Sequence, residues 1–439
     1  MTRIVIVGAG GHVFPLRLIN DFLSFPALAD AEYVLMDVDR AAVERTAKLA
    51  RGLAEAHALS AHIRTSTELN QALRGADFVV TCFQVGGLAA YAHDVEIPRR
   101  YGIDQTVGDT LGPGGVFRGL RSMKALDEIT RVMGELCPSA LLLNYANPMS
   151  INCAFASSQG IRTVGLCHSV QHTADELAAI LGFTDDDWSF RAAGINHQAW
   201  MLDFRRHGRD ILPELRAAVD EYHAGGRNPA VEIDEWYAGG REGVRTVIMD
   251  LVGYFQTESS HHASEYYPYF RRTPADVAKV IPERWDYYEI SVANTDEVQA
   301  KQAAEYATGP LKPSEEYAAR IIDSIVSNTP RAVYGNVPNS GLITNLPEGI
   351  CVEVPVLVDG SGTQPTYIGD LPVACAATNL ASIGLQLCAV EAYRTESRAL
   401  VYNAIALDRM TSSIIGLDEI RKMTDELFEA EKQWLPTFR

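Results

Sequence analysis

The stretch "RIVIVGAGG", residues 3–11, decides how the first half of the chain is read. Its first five residues form a short β-branched apolar run, the pattern of a strand buried on both faces of a parallel sheet. Gly8, Gly10 and Gly11 follow at once, and a helical pattern runs from about His12 to Phe25. Glycine suits a sharp strand-to-helix turn that a pyrophosphate must approach, and the helix N-terminus adds free N–H groups and a positive dipole end. Val13 stands where G-x-G-x-x-G has its third glycine, so the turn does not carry the reading alone. A second strand, "YVLMD" (33–37), ends on Asp37, an acid placed for the ribose hydroxyls of NAD. The gap from Gly10 to Asp37 exceeds the usual spacing of about 20 residues, and the loop "SFPALADA" (24–31) accounts for the excess. Asp37 outweighs Arg40, which would favour NADP. Gly8, Gly10, Gly11, His12 and Asp37 are therefore the candidate cofactor residues, and NAD the expected cofactor.

Outward from this turn the chain alternates. "IRTS" (63–66), "ADFVVTC" (76–82), "ALLLNYANP" (140–148) and "IRTVGLC" (161–167) read as further strands, with helices between them at about 38–57, 116–136 and 173–182. Such alternation predicts a parallel sheet with helices on both faces and ligands at the carboxyl ends of the strands. After about residue 185 the rhythm changes. Two strands are expected around "GINH" (194–197), others at 331–339 and 349–360, and helices near 211–223, 240–252, 297–307, 313–327, 376–406 and 412–430. The expected class is α/β: an N-terminal Rossmann-like doubly wound parallel sheet over residues 1–190, and a C-terminal mixed α+β lobe over 191–439 for substrate, metal and oligomer contacts.

Composition narrows the function. A net charge of −18 removes the basic stripe that nucleic-acid binding needs. No apolar run approaches the ~20 residues of a membrane span, and the glycine-terminated N-terminus does not read as a signal peptide. Seven scattered cysteines without a C-x-x-C motif read as free thiols in a reducing cytoplasm.

Cys167 ends the last predicted parallel strand, and His197 lies in the later turn "GINH". Cysteine and histidine from two loops can hold a divalent ion, with positions left open for substrate oxygens. The residues alone leave other readings open: a nucleophile with its base, or a small buried thiol and a hydrogen-bonded turn histidine.

The segments "IVIVGAGG", "MDVD", "QVGGLAAYAHDVEIPRRYGI", "DTLGPGG", "NYANP", "GLCHSV", "GINH" and "YFQTESSHHASEY" occur in an order and spacing that resembles glycoside hydrolase family 4 over nearly the whole chain. The family is the NAD-dependent exception among glycosidases that otherwise use two carboxylates. The resemblance implies transient oxidation of the sugar at C3, metal-assisted loss of the C2 proton, elimination of the aglycone from C1, addition of water and return of the hydride. It implies NAD and Mn²⁺ (or another divalent metal) as cofactors, a small-molecule glycoside as substrate, and a homodimer or homotetramer. It matches Cys167 and His197 to metal ligands, Asn147 to a substrate-binding amide, and His168 to the general acid. Glu258, Tyr266 and Tyr267 are the candidates for the C2 base. Asp109 and the "GPGG" turn (112–115) resemble a loop that faces nicotinamide and substrate.

Two departures shape the substrate expectation. Phosphosugar branches carry an arginine after "GG", where Tyr91 is the nearest residue here, and "CDMP" or "CN-P" in place of "CHSV". The "CHSV" form resembles the α-galactosidase branch. Ser169 departs from the "CHEV" of the α-galacturonidases, and His172 from the glycine of the galactosidases. An α-galactosidase is the expectation, with α-galacturonidase or α-glucosidase as relatives of the same chemistry. The rivals from other classes are a 2-hydroxy-acid dehydrogenase and a non-catalytic nucleotide sensor; neither has a reason to hold the Cys167, His197 and Asn147 set.

Overall fold

In the computed structural model, residues 1–184, 187–223, 243–281 and 284–439 are described. Positions 240–242 of the helix expected over 240–252 lie outside them; the described helix is Gly243–Val252. Six strands form the expected parallel unit: β1 (Arg3–Val7), β2 (Glu32–Met36), β3 (His62–Ser66), β4 (Phe78–Thr81), β5 (Leu141–Asn144) and β6 (Thr163–Gly165). They run in the order β3-β2-β1-β4-β5-β6, all parallel. The order reverses direction at β1, and that switch point opens the crevice where the glycine turn sits. Ile4, Val5 and Ile6 are wholly buried, as a strand covered on both faces requires.

The sheet does not stop at the end of this unit. Seven more strands are β7 (Trp188–Ile195), β8 (Gln198–Arg206), β9 (Arg209–Asp210), β10 (Phe255–Gln256), β11 (Arg331–Pro338), β12 (Cys351–Asp359) and β13 (Gly362–Pro365). β11 pairs antiparallel with β6, and the sheet continues through β12, β7, β8 and β10, giving 13 strands in one sheet. Residues 190 and 191 both fall inside β7. The α+β region therefore extends the Rossmann sheet edge to edge, and carries the turn between β7 and β8 to the crevice.

Several boundaries differ from the sequence reading. The "GPGG" segment is not a loop: the helix Gly112–Leu136 starts in it, because Pro113 fits the first helical turn and Gly112 takes a positive φ of 72°. The helix Gly87–Arg100 went unread, since its hydrophobic pattern is diluted by His93, Asp94 and Pro98. The stretch read as one helix over 376–406 is two, Val373–Thr395 and Arg398–Leu407, parted by Glu396 in the left-handed region. Val373–Thr395 is long and apolar enough to cross a membrane by composition, but half of its most apolar window is buried inside this fold. Within the parallel unit, β6 spans three residues only, so Cys167 lies beyond its end.

A buried cluster ties the helices around the crevice. Arg121, wholly buried, donates to both oxygens of Asp94 and to Glu431. It joins Gly87–Arg100, Gly112–Leu136 and the C-terminal helix Leu417–Glu431.

Candidate active site

The glycine turn is tightly packed and leaves no room for a side chain at Gly8 or Gly10. Gly8 has φ +94°, and a Cβ there would lie 2.7 Å from the Phe83 backbone nitrogen. A Cβ on Gly10 would fall 2.7 Å from the Asp37 carboxylate, which instead accepts the Gly10 N–H at 2.7 Å. Asp37 thus stands at the mouth of the turn, and its other oxygen accepts from the Asp39 N–H. His12 faces Asp296 at 3.4 Å from a helix of the second region, and burial, then Arg45, lowers its pKa.

The chain's second region brings a donor set to the ends of β5 and β6. His197 sits in the two-residue turn between β7 and β8, and Glu258 follows β10. Cys167 Sγ lies 3.3 Å from His197 Nε2, and that nitrogen lies 3.7 Å from Glu258 Oε2. One ligand atom from each residue lies within 4.8 Å of the other two. Both His197 (φ 61°) and Glu258 (φ 78°) occupy the left-handed region, which costs a side chain roughly 1–3 kcal/mol. Gln256 Nε2 donates to the His197 carbonyl, and the Glu258 N–H donates to Thr173, so hydrogen bonds hold both strained residues in place.

A thiol, an imidazole and a carboxylate at this separation suit a borderline divalent ion. Without a cation, burial and then the Glu353 and Glu258 charges push the Cys167 thiol up to about 12, against the pull of His168. Burial also opposes the charge on Glu258, but His197 and His262 hold its carboxyl far below the usual range. Beneath the set, burial lifts Glu353 to about 7, and Asn336 donates to it at 2.9 Å.

Around the donor set the other candidates fall into place unevenly. Asn147 Nδ2 donates to Asp109 at 3.0 Å, and Thr110 donates to the same carboxylate at 2.7 Å. Thr110 in turn lies 3.4 Å from His197 Nδ1, linking the Asn147–Asp109 pair to His197. His168 caps the helix Ser169–Ile180 at the rim and lies 3.5 Å from Glu316. Burial opposes its charge, but Glu316 and Cys167 raise its pKa to about 9. The His172 ring lies tilted against it, 4.6 Å between centroids.

Of the three base candidates, only Tyr266 has its hydroxyl buried without a hydrogen-bond partner among the described residues. Burial, then Glu258 and Asp109, push that phenol well above its ordinary value. Tyr267 turns away: its hydroxyl donates to Gln256 and its ring carries Arg409 at 5.8 Å. Glu258 stands in the donor set itself. Tyr91 is buried with its hydroxyl on the Val107 carbonyl.

Sequence reading missed four residues here. His262 lies 3.9 Å from Glu258 and 4.0 Å from Asp109, and its Nε2 has no hydrogen bond among the described residues. It is the fourth residue after Glu258, a helical spacing that could have marked the pair. Glu316 and Arg118 give no local signal. Glu265 gives none either, yet its buried carboxylate accepts from Gln105, Thr106 and the N–H groups of Val107 and Gly108. It thereby fixes the loop that ends in Asp109. Glu265→Gln is expected to cost about 1–3 kcal/mol of folding stability, because two backbone donors lose an ionised acceptor. A lower urea midpoint checks this, and an unchanged one would show that the loop holds itself.

Comparison with known proteins follows this geometry. The model for the family 4 glycosyl hydrolases matches residues 3–183, and the model for their C-terminal domain matches 192–411. This chain belongs to glycosyl hydrolase family 4. It is 35% identical to an α-galactosidase of Bacillus subtilis, with 100% of both chains covered. It is 34% identical to an α-galactosidase of Rhizobium meliloti, over 99% of this chain and 89% of that one. A 6-phospho-α-glucosidase from gut microorganisms, solved with NAD and Mn²⁺, has the same fold at a TM-score of 0.82, with 20% identity and 100% coverage of both chains. Family membership sets aside the 2-hydroxy-acid dehydrogenase and the nucleotide sensor.

Proposed function

We propose that the protein is an α-galactosidase that works through transient oxidation at C3, with NAD and a divalent metal, Mn²⁺ by preference, as resident cofactors. The observation that carries the reading is the Cys167–His197–Glu258 donor set in the crevice of a glycine turn closed by Asp37. Two full-length α-galactosidase relatives support the substrate, and the NAD- and Mn²⁺-bound neighbour supports the cofactors.

When bound, a divalent cation would supply Lewis-acid polarisation of the sugar's hydroxyl oxygens, and NAD would supply a reversible hydride acceptor. Cys167, His197 and Glu258 would hold the cation; Gly8, Gly10, Gly11, His12 and Asp37 would hold the dinucleotide. Tyr266, its hydroxyl unpartnered among the described residues and its ring against His262, would take the C2 proton as its phenolate, a state that positive charge bound beside Glu258 would favour. Asn147 and Asp109 orient the glycone. His168, kept protonated near neutral pH by Glu316, faces the rim and supplies a proton to the departing glycosidic oxygen. The N-terminal region supplies the dinucleotide site, and residues after 191 supply His197, Glu258 and Tyr266.

The test is a panel of nitrophenyl α-glycosides assayed with NAD, Mn²⁺ and a reductant, in which the galactoside is expected to turn over fastest. NAD is expected to be required yet not consumed, since the hydride returns to C3. Absorbance at 340 nm should stay flat while nitrophenol accumulates. Stoichiometric growth of NADH with product would contradict the cycle.

A further inference from the structure

Among the described residues, four arginines have 9% exposure or less: Arg118, Arg121, Arg245 and Arg271. Three have acceptors for their charge. Arg121 binds Asp94 and Glu431, Arg245 binds Glu176 and Thr173, and Arg271 binds the Asp104 carbonyl and Ser264. Arg118 has no hydrogen bond and no ion pair among the described residues, and its buried Nη1 has no partner. Its guanidinium lies over the Tyr91 ring at 5.2 Å to the centroid. A guanidinium buried to this extent over a ring face is costly, because the buried Nη1 does not recover the hydrogen bonds it gave up to water. Such a group is kept where something else supplies the acceptor.

The direction of that acceptor is given by Asp109. Burial opposes ionisation of Asp109, and Arg118 is the leading charge that restores it, followed by His262 and His197. The geometry agrees: the Tyr91 ring under the Arg118 guanidinium has its hydroxyl on the Val107 carbonyl, two residues before Asp109, and among the described residues Arg118 and Asp109 form no ion pair. Asp109 is already oriented by Asn147 and Thr110 and stands beside the donor set. A guanidinium and a carboxylate held apart around a crevice make a donor and an acceptor of zero net charge. That combination suits a hydroxyl, which accepts at its oxygen and donates its hydrogen. A carboxylated sugar would gain Arg118 but meet Asp109 and Glu258.

We propose that Arg118 reads the glycone: its guanidinium donates to the oxygen of a sugar hydroxyl whose hydrogen is accepted by Asp109. The inference rests on the α-galactosidase reading above. There C2 and C3 are engaged by the chemistry, so the hydroxyl concerned is at C4 or C6 of a neutral galactoside.

The test uses the holoenzyme loaded with NAD and Mn²⁺, and Arg118→Met, which keeps the length and the packing on Tyr91. Nitrophenyl α-galactoside and its 4-deoxy and 6-deoxy analogues are the substrates; galactose and its 4-deoxy and 6-deoxy forms are titrated by calorimetry. On the parent galactoside, kcat/KM is expected to fall roughly 10- to 100-fold, the loss of one charge-assisted hydrogen bond. On one deoxy analogue the substitution should cost nothing further. The thermal midpoint should hold or rise, because an unpaired buried charge has been removed. A purely structural arginine would instead lower the midpoint, and an equal loss on all three substrates, or none, would overturn the proposal. A loss confined to an α-galacturonide would overturn it too. If the wild type binds galactose but hydrolyses no glycoside, and Arg118→Met weakens binding of galactose alone, the glycosidase reading fails while the clamp stands. Neither binding nor turnover by the wild type removes both.

Discussion

Cys167→Ser is expected to abolish measurable turnover and to weaken Mn²⁺ binding by at least about a hundredfold, since even residues behind a metal ligand cost 10- to 100-fold. The sulfur lies 3.3 Å from His197 Nε2 and inside the 4.8 Å donor set, so it has no other place to act than on whatever occupies that set. A thiol pushed up to about 12 by burial is protonated at neutral pH, and only a cation in contact keeps it as thiolate. Serine is nearly the same size but remains a neutral hydroxyl there, which removes one negative charge and the soft donor together. The fold should survive, because residue 167 lies beyond the end of β6 and takes no part in its pairing. Calorimetric Mn²⁺ titration and the nitrophenyl galactoside rate, both under reductant, measure the two effects. Full activity of the wild type in excess EDTA would remove the donor set from the mechanism.

What the sequence made legible follows from how far each signal reaches along the chain. β1 and its glycine turn are local: an apolar β-branched run and three glycines suffice, and the structure begins β1 at Arg3 and ends it at Val7. Cys167 and His197 stood at a strand end and in a turn, and the paired strands β7 and β8 carry His197 back to the thiol. The "GPGG" helix start was missed because glycine and proline read as a turn from composition, although proline is favoured in a first helical turn. Glu258 was expected only as a base, since its place beside Cys167 depends on folding across 91 residues. Glu265 and Arg118 were invisible for a related reason. What matters in Glu265 is four donors more than 150 residues away, and in Arg118 the lack of a hydrogen bond to its buried Nη1 among the described residues. Neither property exists until the chain is folded.

Tyr266→Phe is expected to slow turnover by about 10²- to 10⁴-fold, the usual contribution of one positioned proton-transfer group. It should also suppress exchange of hydrogen at C2 while leaving NAD and Mn²⁺ binding in place. Among Glu258, Tyr266 and Tyr267, Tyr266 alone has its polar atom without a hydrogen bond among the described residues. Glu258 stands in the donor set, and Tyr267 donates to Gln256. The phenol is packed against the His262 ring at 5.5 Å between centroids, so phenylalanine fills the same space and the rate loss reports the hydroxyl. Product formed by the wild type in D₂O should carry deuterium at C2, because a base that takes the sugar's proton can return one from solvent. The C3 position should stay protiated, since its hydride leaves and returns without meeting water. Substrate deuterated at C2 or C3 should turn over more slowly where chemistry limits the rate. A direct displacement at C1 leaves C2 untouched, so product made in D₂O and wholly protiated at C2 would count against the elimination pathway. A Tyr266→Phe variant that still exchanged C2 at the wild-type rate would move the base to Glu258, with the pathway intact.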